Sequence, residues 1–95
     1  MGQILQAGQG QLTARQAAAK AGIPLTTPPI VLNKLCLPGI NAIYLADQMT
    51  AAGDADIVVA GGMESMTRAP YLLQDARSGY RYGDGVLVDS MLLDT

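Results

Sequence analysis

The chain has 95 residues, a net charge of −2, one cysteine and no histidine, tryptophan or phenylalanine. That length allows one small domain at most, at the low end of what buries a self-sufficient core. The six basic residues form no cluster, which argues against nucleic acid or an anionic membrane surface as partner, and a lone cysteine makes neither a disulfide framework nor a metal cluster.

Gln3 to Gln6 is a short candidate strand, and Ala7-Gly8-Gln9-Gly10-Gln11 reads as a turn. Thr13 and Gln16 match a capping box, with a hydroxyl at the cap and an amide three residues on. The helix they open runs through Ala17 to Ala21, with Gly22 suited to its C′ position and Pro24 blocking continuation. Its alanines permit close approach to a sheet or another helix. Thr26 to Pro29 connects to Ile30-Val31-Leu32, a β-branched apolar strand. The longest helix is expected from near Pro38 to Ala52, with Ile40, Ile43, Tyr44 and Met49 as its apolar stripe and Gly53 ending it. Ile57 to Ala60 is apolar without alternation, as in a parallel strand covered on both faces. Gly61-Gly62 then permits a tight backbone path or close packing. After Met66 the character changes: Ser78 to Gly85 reads as loop, and Val86 to Leu93 as short and amphipathic. The whole is an α/β chain in αβαβ order, and both ends read as cuts inside a larger domain.

No apolar run approaches the roughly 20 residues of a membrane span. Met1 to Leu5 lacks the basic region of a signal peptide. A reducing, cytoplasmic setting is expected, in keeping with the single cysteine.

Cys36 stands where the second strand turns into the long helix. A thiol there is close to unpaired backbone N–H groups and to the positive end of the helix dipole. Both favour the thiolate, which is the reactive form. The competing reading is a small buried apolar residue. A cysteine nucleophile usually works with a histidine base. None is present, so the partners of a catalytic Cys36 are expected on residues outside these 95.

Other candidates are less specific. Gly8-Gln9-Gly10 lacks the third glycine of a dinucleotide fingerprint and the end of a P-loop, so a tight turn is preferred to a phosphate site. Glu64 follows a strand and a glycine pair, a common place for functional residues in α/β sheets, but bonding to a neighbouring loop is preferred for it. Arg15 and Lys34 either attract an anion or are ordinary surface charges. Met63 and Met66 are expected to be packing residues.

The combination is more specific than its parts. Asn33-Lys34-Leu35-Cys36-Leu37-Pro38-Gly39 resembles the nucleophile region of thiolases, and Val58 to Met66 resembles the strand and glycine turn of that family. Gly2-Gln3, Ala7 to Gln11 and Ala14 to Ala18 are similar to the preceding segment. Tyr82-Gly83-Asp84 and Val88 to Met91 resemble the start of the family's loop domain. The nearest type is the acetyl-CoA acetyltransferase type.

The resemblance implies a partial N-terminal βαβα layer over residues 1–66 and the start of the loop-domain insertion over residues 67–95. It implies an acyltransferase of fatty acid metabolism with Cys36 as acyl-accepting nucleophile. Coenzyme A thioesters would be its substrates, with no bound cofactor and no metal. Acyl-CoA and CoA would be its small-molecule partners, without nucleic acid or membrane. A dimer or tetramer would form at full length. The backbone N–H of Cys36 would serve an oxyanion hole. The histidines and second cysteine of the family mechanism lie downstream of this region, so the 95 residues alone are expected to be inactive and poorly folded. The alternative is a thiolase-like module that binds or dimerises without chemistry. Position 38 departs from the pattern, with proline where the family usually has serine. Proline is expected to start the helix at its own position and to weaken activation of Cys36.

Overall fold

A computed structural model describes residues 1–95. Its frame is three extended segments lying side by side in parallel, with the first in the middle. Gly2 bridges Leu32 on one side and Gly62 on the other. On the first side Gln3 N–H donates to Leu32 O at 3.0 Å, and Leu32 N–H to Met1 O at 3.0 Å. On the second, Gly2 N–H donates to Gly61 O at 2.8 Å, and Met63 N–H to Gly2 O at 3.0 Å. The Met1 amino group donates to Ile30 O at 2.6 Å, and burial lowers its pKa.

The parallel arrangement agrees with the expectation, but the strands are shorter. Pairing is confined to single bridges. Ile57 to Ala60 is not a covered strand: Ile57 and Val59 are 88% and 78% exposed. The segment makes no backbone hydrogen bond to another extended segment before Gly61. Ile4 and Leu5 likewise give their N–H groups to a side chain, described below, rather than to a strand.

Two helices connect these segments. Helix α1 spans Thr13–Lys20 and helix α2 spans Pro38–Ala51. Both end in the same way, with a glycine in the left-handed region, Gly22 at φ 79° and Gly53 at φ 80°. Ile23 N–H reaches back to Ala18 O at 2.9 Å and Gly22 N–H to Ala19 O at 3.2 Å; Asp54 N–H reaches Met49 O at 3.0 Å and Gly53 N–H reaches Thr50 O at 3.1 Å. These are Schellman ends, which satisfy carbonyls left open by the helix and need a residue free of a Cβ at the turn. The turn over Ala7 to Gln11 is also formed, with Gly8 and Gly10 at positive φ.

The start of α1 is not the capping box expected. Leu12, at φ 43°, precedes the helix, and Thr13 is its first residue. Thr13 Oγ1 donates instead to Gln3 Oε1 in a buried contact. Gln16 Nε2 reaches back to Gln9 O and Gln11 O, at 3.0 and 2.9 Å. Tertiary partners therefore displace the local cap. Gln3 is buried and joins two more bonds, from its own Nε2 to Leu5 O and from Gln6 Nε2 to its carbonyl. It ties the central segment to α1.

Helix α2 also turns a different side inward. Its buried residue is Ala42, and Ala42, Leu45, Ala46 and Met49 line an apolar cavity of about 680 Å³ shared with α1 and the flanks of the extended segments. The expected stripe of Ile40, Ile43 and Tyr44 is more than half exposed. Apolar residues on both sides of one helix are the pattern of a helix meant to be covered all round. Met63 and Met66 are also exposed and pack little within this chain.

A single 3₁₀ turn at Met66–Arg68 leads into β1, Tyr71–Leu72, which pairs antiparallel with β2, Val88–Asp89. Helix α3, Ser90–Asp94, follows directly, capped by Asp89 Oδ1 accepting from Met91 N–H at 2.9 Å. Buried Ser90 donates from Oγ to Pro70 O at 2.6 Å. The intervening residues are turn and loop, as read over Ser78 to Gly85; the β1–β2 pairing was not foreseen, since two-residue strands carry no periodicity.

Only 7 of the 95 residues are buried. The radius of gyration is 16.9 Å, against about 12 Å for a compact domain of this length. So little burial does not offset the backbone entropy lost on ordering, which is about 1–2 kcal/mol per residue. The isolated 95-residue chain is expected to melt without a cooperative transition in calorimetry. A sharp unfolding endotherm from a dilute monomer would contradict this.

Candidate active site

The site is built at the junction between the second extended segment and α2. Asn33 Oδ1 accepts from Leu35 N–H at 2.9 Å, and Leu37 N–H donates to Lys34 O at 3.0 Å. These two bonds fold residues 34–37 into a tight turn with Leu35 and Cys36 at its corners. Leu35 adopts φ 46°, a left-handed conformation that costs a non-glycine residue about 1–2 kcal/mol. The Asn33 side chain, bonding to the Leu35 amide, offsets part of that cost. Leu37, at φ −124° and ψ 20°, is outside the helix, and Pro38 is its first residue. Proline thus starts the helix where the sequence led us to expect.

Cys36 is a free, exposed thiol at this corner. Its backbone N–H makes no bond within the chain, and neither do the Gly39 and Ile40 N–H groups in the first turn of α2. The corner therefore presents a thiol and unpaired donors on the same stretch of backbone.

Cys36, Pro38 and Gly39 form one wall of a cavity of about 340 Å³; Gly2, Ile4, Gly62, Met63 and Glu64 complete it. Close backbone approach requires glycine at Gly2 and leaves little room for a side chain at Gly62. A Cβ on Gly2 would lie 2.3 Å from the Pro38 carbonyl carbon and 2.6 Å from Gly39 N. A Cβ on Gly62 would lie 3.2 Å from Gly2 O and 3.3 Å from Gly39 Cα. The start of α2 thus rests directly on the backbones of the first and third extended segments.

Glu64 is placed in the cavity wall, yet its carboxylate is engaged. Oε2 accepts from Ile4 N–H at 2.7 Å and Oε1 from Leu5 N–H at 3.0 Å. It bonds to a neighbouring backbone stretch, as preferred from the sequence, and holds the first segment to the glycine turn. Charge-assisted bonds of this kind are roughly twice as strong as neutral ones.

The remaining candidates fall away from the site. Gly8 and Gly10 are in an ordinary turn. Lys34 is exposed beside Cys36 in sequence but does not line the cavity. Arg15 is half-buried, with Nη1 enclosed and unbonded, so it is neither a free surface charge nor part of this cavity. Gly2 and Gln3 were not singled out from the sequence as site-forming. A glycine next to a chain end carries no local signal, and a glutamine in a strand-like run reads as exposed. No group of three or more His, Cys, Asp or Glu side chains gathers in a way that suits a metal.

A family model for the thiolase N-terminal domain matches residues 1–95. The chain belongs to the thiolase family. Its similarity to a probable acetyl-CoA acetyltransferase of Mycobacterium leprae is 57% identity over 94 residues, covering 99% of this chain and 24% of that protein. It is 53% identical over 94 residues to an acetyl-CoA acetyltransferase of Cupriavidus necator, with the same coverage of 99% and 24%. Among solved structures it superposes with a TM-score of 0.90 and 37% identity on the Acat5 thiolase of Ascaris suum, crystallised in complex with coenzyme A, covering 98% of this chain and 24% of that one. The fold is therefore that of a thiolase N-terminal segment. This chain spans about a quarter of the length of the relatives it matches. The exposed apolar side of α2 and the bare Ile57 and Val59 have their explanation in that proportion, because the part of the fold described is too small to cover them.

Two outcomes follow for a thiolase of full length that carries this segment. Gly2→Ala is expected to lose about 1–3 kcal/mol or more of stability by overpacking, and Gly62→Ala less, as measured by urea unfolding. Equal effects would show that the junction is not tight at Gly2. Glu64→Gln keeps the size of the side chain but replaces one acceptor oxygen with a donor. It should cost about 1–3 kcal/mol and speed hydrogen exchange at the Ile4 and Leu5 amides; unchanged exchange there would rule out the clamp.

Proposed function

We propose that this chain supplies the nucleophile-bearing segment of a thiolase-type acyl-CoA acyltransferase, with Cys36 as the residue that takes the acyl group. The observation that carries the reading is the only cysteine of the chain, exposed at a turn whose own backbone N–H is unpaired, beside a cavity at the start of α2. The names of its relatives support acetyl-CoA as a substrate, and the coenzyme A complex of the Ascaris thiolase supports CoA as a ligand.

In this mechanism the Cys36 thiolate attacks the thioester carbonyl of an acyl-CoA. Negative charge builds on the carbonyl oxygen, and the free Cys36 N–H is available to stabilise it. Donors aimed at such an oxyanion are often worth about 3–4 kcal/mol of barrier. The C–S bond to CoA breaks, CoA leaves as a thiolate and takes a proton, and the acyl group stays on Cys36. In the second half, the enolate of acetyl-CoA attacks the acyl-enzyme, a C–C bond forms, and the Cys36 thiolate is released with a 3-ketoacyl-CoA. Read backwards, the same steps are thiolysis. The proton transfers need bases that the histidine-free chain does not hold. Glu64 is not one of them, since both its oxygens are bonded to backbone.

Coenzyme A thioesters enter here as substrates, not as a resident cofactor. Residues 67–95, with their own small β1–β2 pair and α3, are assigned as the start of the loop domain, and residues 1–66 as part of the N-terminal domain. A homo-oligomer at full length and a cytoplasmic location complete the reading; no helix of the chain is long and apolar enough to cross a membrane. A second reading, a module that associates without chemistry, draws on the open apolar cavity of about 680 Å³ and the exposed side of α2.

Incubating a full-length thiolase that carries this segment with acetyl-CoA, then quenching in acid, should leave an acetyl group on the Cys36 peptide by mass spectrometry. Cys36→Ala should lower kcat on the order of 10⁴-fold or more, the scale seen when a nucleophile is removed. Concentration-dependent association with no acetylation would favour the module instead.

A further inference from the structure

Helix α2 begins in an unusual way for a helix that faces a reactive group. No side chain caps its N-terminus, its first turn holds no acidic residue, and its first residue is Pro38. The first residues of an ordinary helix each carry a free N–H directed out of the helix toward a nearby anion. Proline has none. The free donors of the first turn are reduced to Gly39 and Ile40, because Asn41 N–H already bonds to Leu37 O at 2.9 Å. Of these, Gly39 N is packed against Gly2, where an added Cβ would approach it to 2.6 Å.

Leu37, the residue before the helix, stands at φ −124° and ψ 20°, and Cys36 lies two residues ahead of the first helical residue. The dipole of a helix falls off within that first turn. The Pro38 carbonyl packs closely on Gly2. At position 38 the wall of the Cys36 cavity is apolar and without a donor.

We propose that Pro38 is a positioning residue that restrains the reactivity of Cys36: it leaves the first residue of α2, in the wall of the Cys36 cavity, without an N–H donor. The inference rests on the reading of Cys36 as the nucleophile. Its consequence is a thiol that reacts more slowly than the same turn would allow with an N–H at position 38.

The test compares Pro38, Pro38→Ala and Pro38→Ser in a thiolase of full length that carries this segment. Alanine restores the N–H alone, and serine restores the N–H with a hydroxyl. The readout is the rate of Cys36 alkylation by iodoacetamide as a function of pH, with the labelled peptide identified by mass spectrometry. In this step the thiol gives its proton to solvent, a carbon–sulfur bond forms and iodide leaves. Both variants should move the midpoint of the profile down by about 0.2–0.7 pH unit, or about 1.6-fold to fivefold in rate below the midpoint, the scale of one helix-terminus interaction. An unmoved midpoint in both variants overturns the inference, and so does a uniform change of rate at every pH, which reports access alone. Acetylation of Cys36 by acetyl-CoA separates the two levels. A protein acetylated at Cys36 with one midpoint in all three forms keeps the nucleophile and loses this role for Pro38; a protein never acetylated at Cys36 loses both.

Discussion

The close approach of three backbones at Gly2, Gly39 and Gly62 is the constraint on which the rest of this structure depends. Gly2 is bridged on both sides and also lies under the first residues of α2. A side chain at Gly2 would overlap the Pro38 carbonyl outright. The junction sets the height of α2 above the extended segments, and with it the position of the turn that carries Cys36. The cavity beside the thiol is the space left around this junction. Glu64 reinforces it from the far side by holding the Ile4 and Leu5 amides.

The turn itself is a second, local device. Leu35 is held in a left-handed conformation that a leucine does not favour, and a polar neighbour, Asn33, bonds to its amide. Strain of this kind persists only where its surroundings over-determine it. Here the Lys34–Leu37 hydrogen bond, the fixed φ of Pro38 and the packing of Gly2 all act on five consecutive residues. The result is a cysteine that is exposed, with its own N–H free. A thiol in a regular strand or inside a helix would have had that N–H consumed.

Much of the architecture outside this turn is open. The apolar cavity between α1, α2 and the extended segments, the outer side of α2 and the bare Ile57 and Val59 together form more apolar surface than 95 residues can bury. A helix with apolar residues on opposite sides belongs between two layers. This agrees with a segment covering 24% of a thiolase of known structure, where the covering layers would come from the rest of the chain. The folded geometry of the site is therefore expected to depend on parts of the protein that this segment does not contain.

The sequence by itself determined the local signals. Both helices and their glycine ends were legible, because a left-handed C′ residue and a following proline or turn leave a composition that no other element shares. The place of Cys36 before α2, the helix start at Pro38 and the family were legible for the same reason: each rests on residues adjacent in the chain. Tertiary structure alone decided the rest. It placed Thr13 against Gln3 rather than in a capping box, chose Ala42, Leu45 and Met49 as the inward side of α2, and committed Glu64 to the backbone of Ile4 and Leu5. It also made Gly2 indispensable. These outcomes depend on contacts between residues 10 to 60 positions apart, and hydrogen-bond partners at that distance leave no mark in periodicity or spacing.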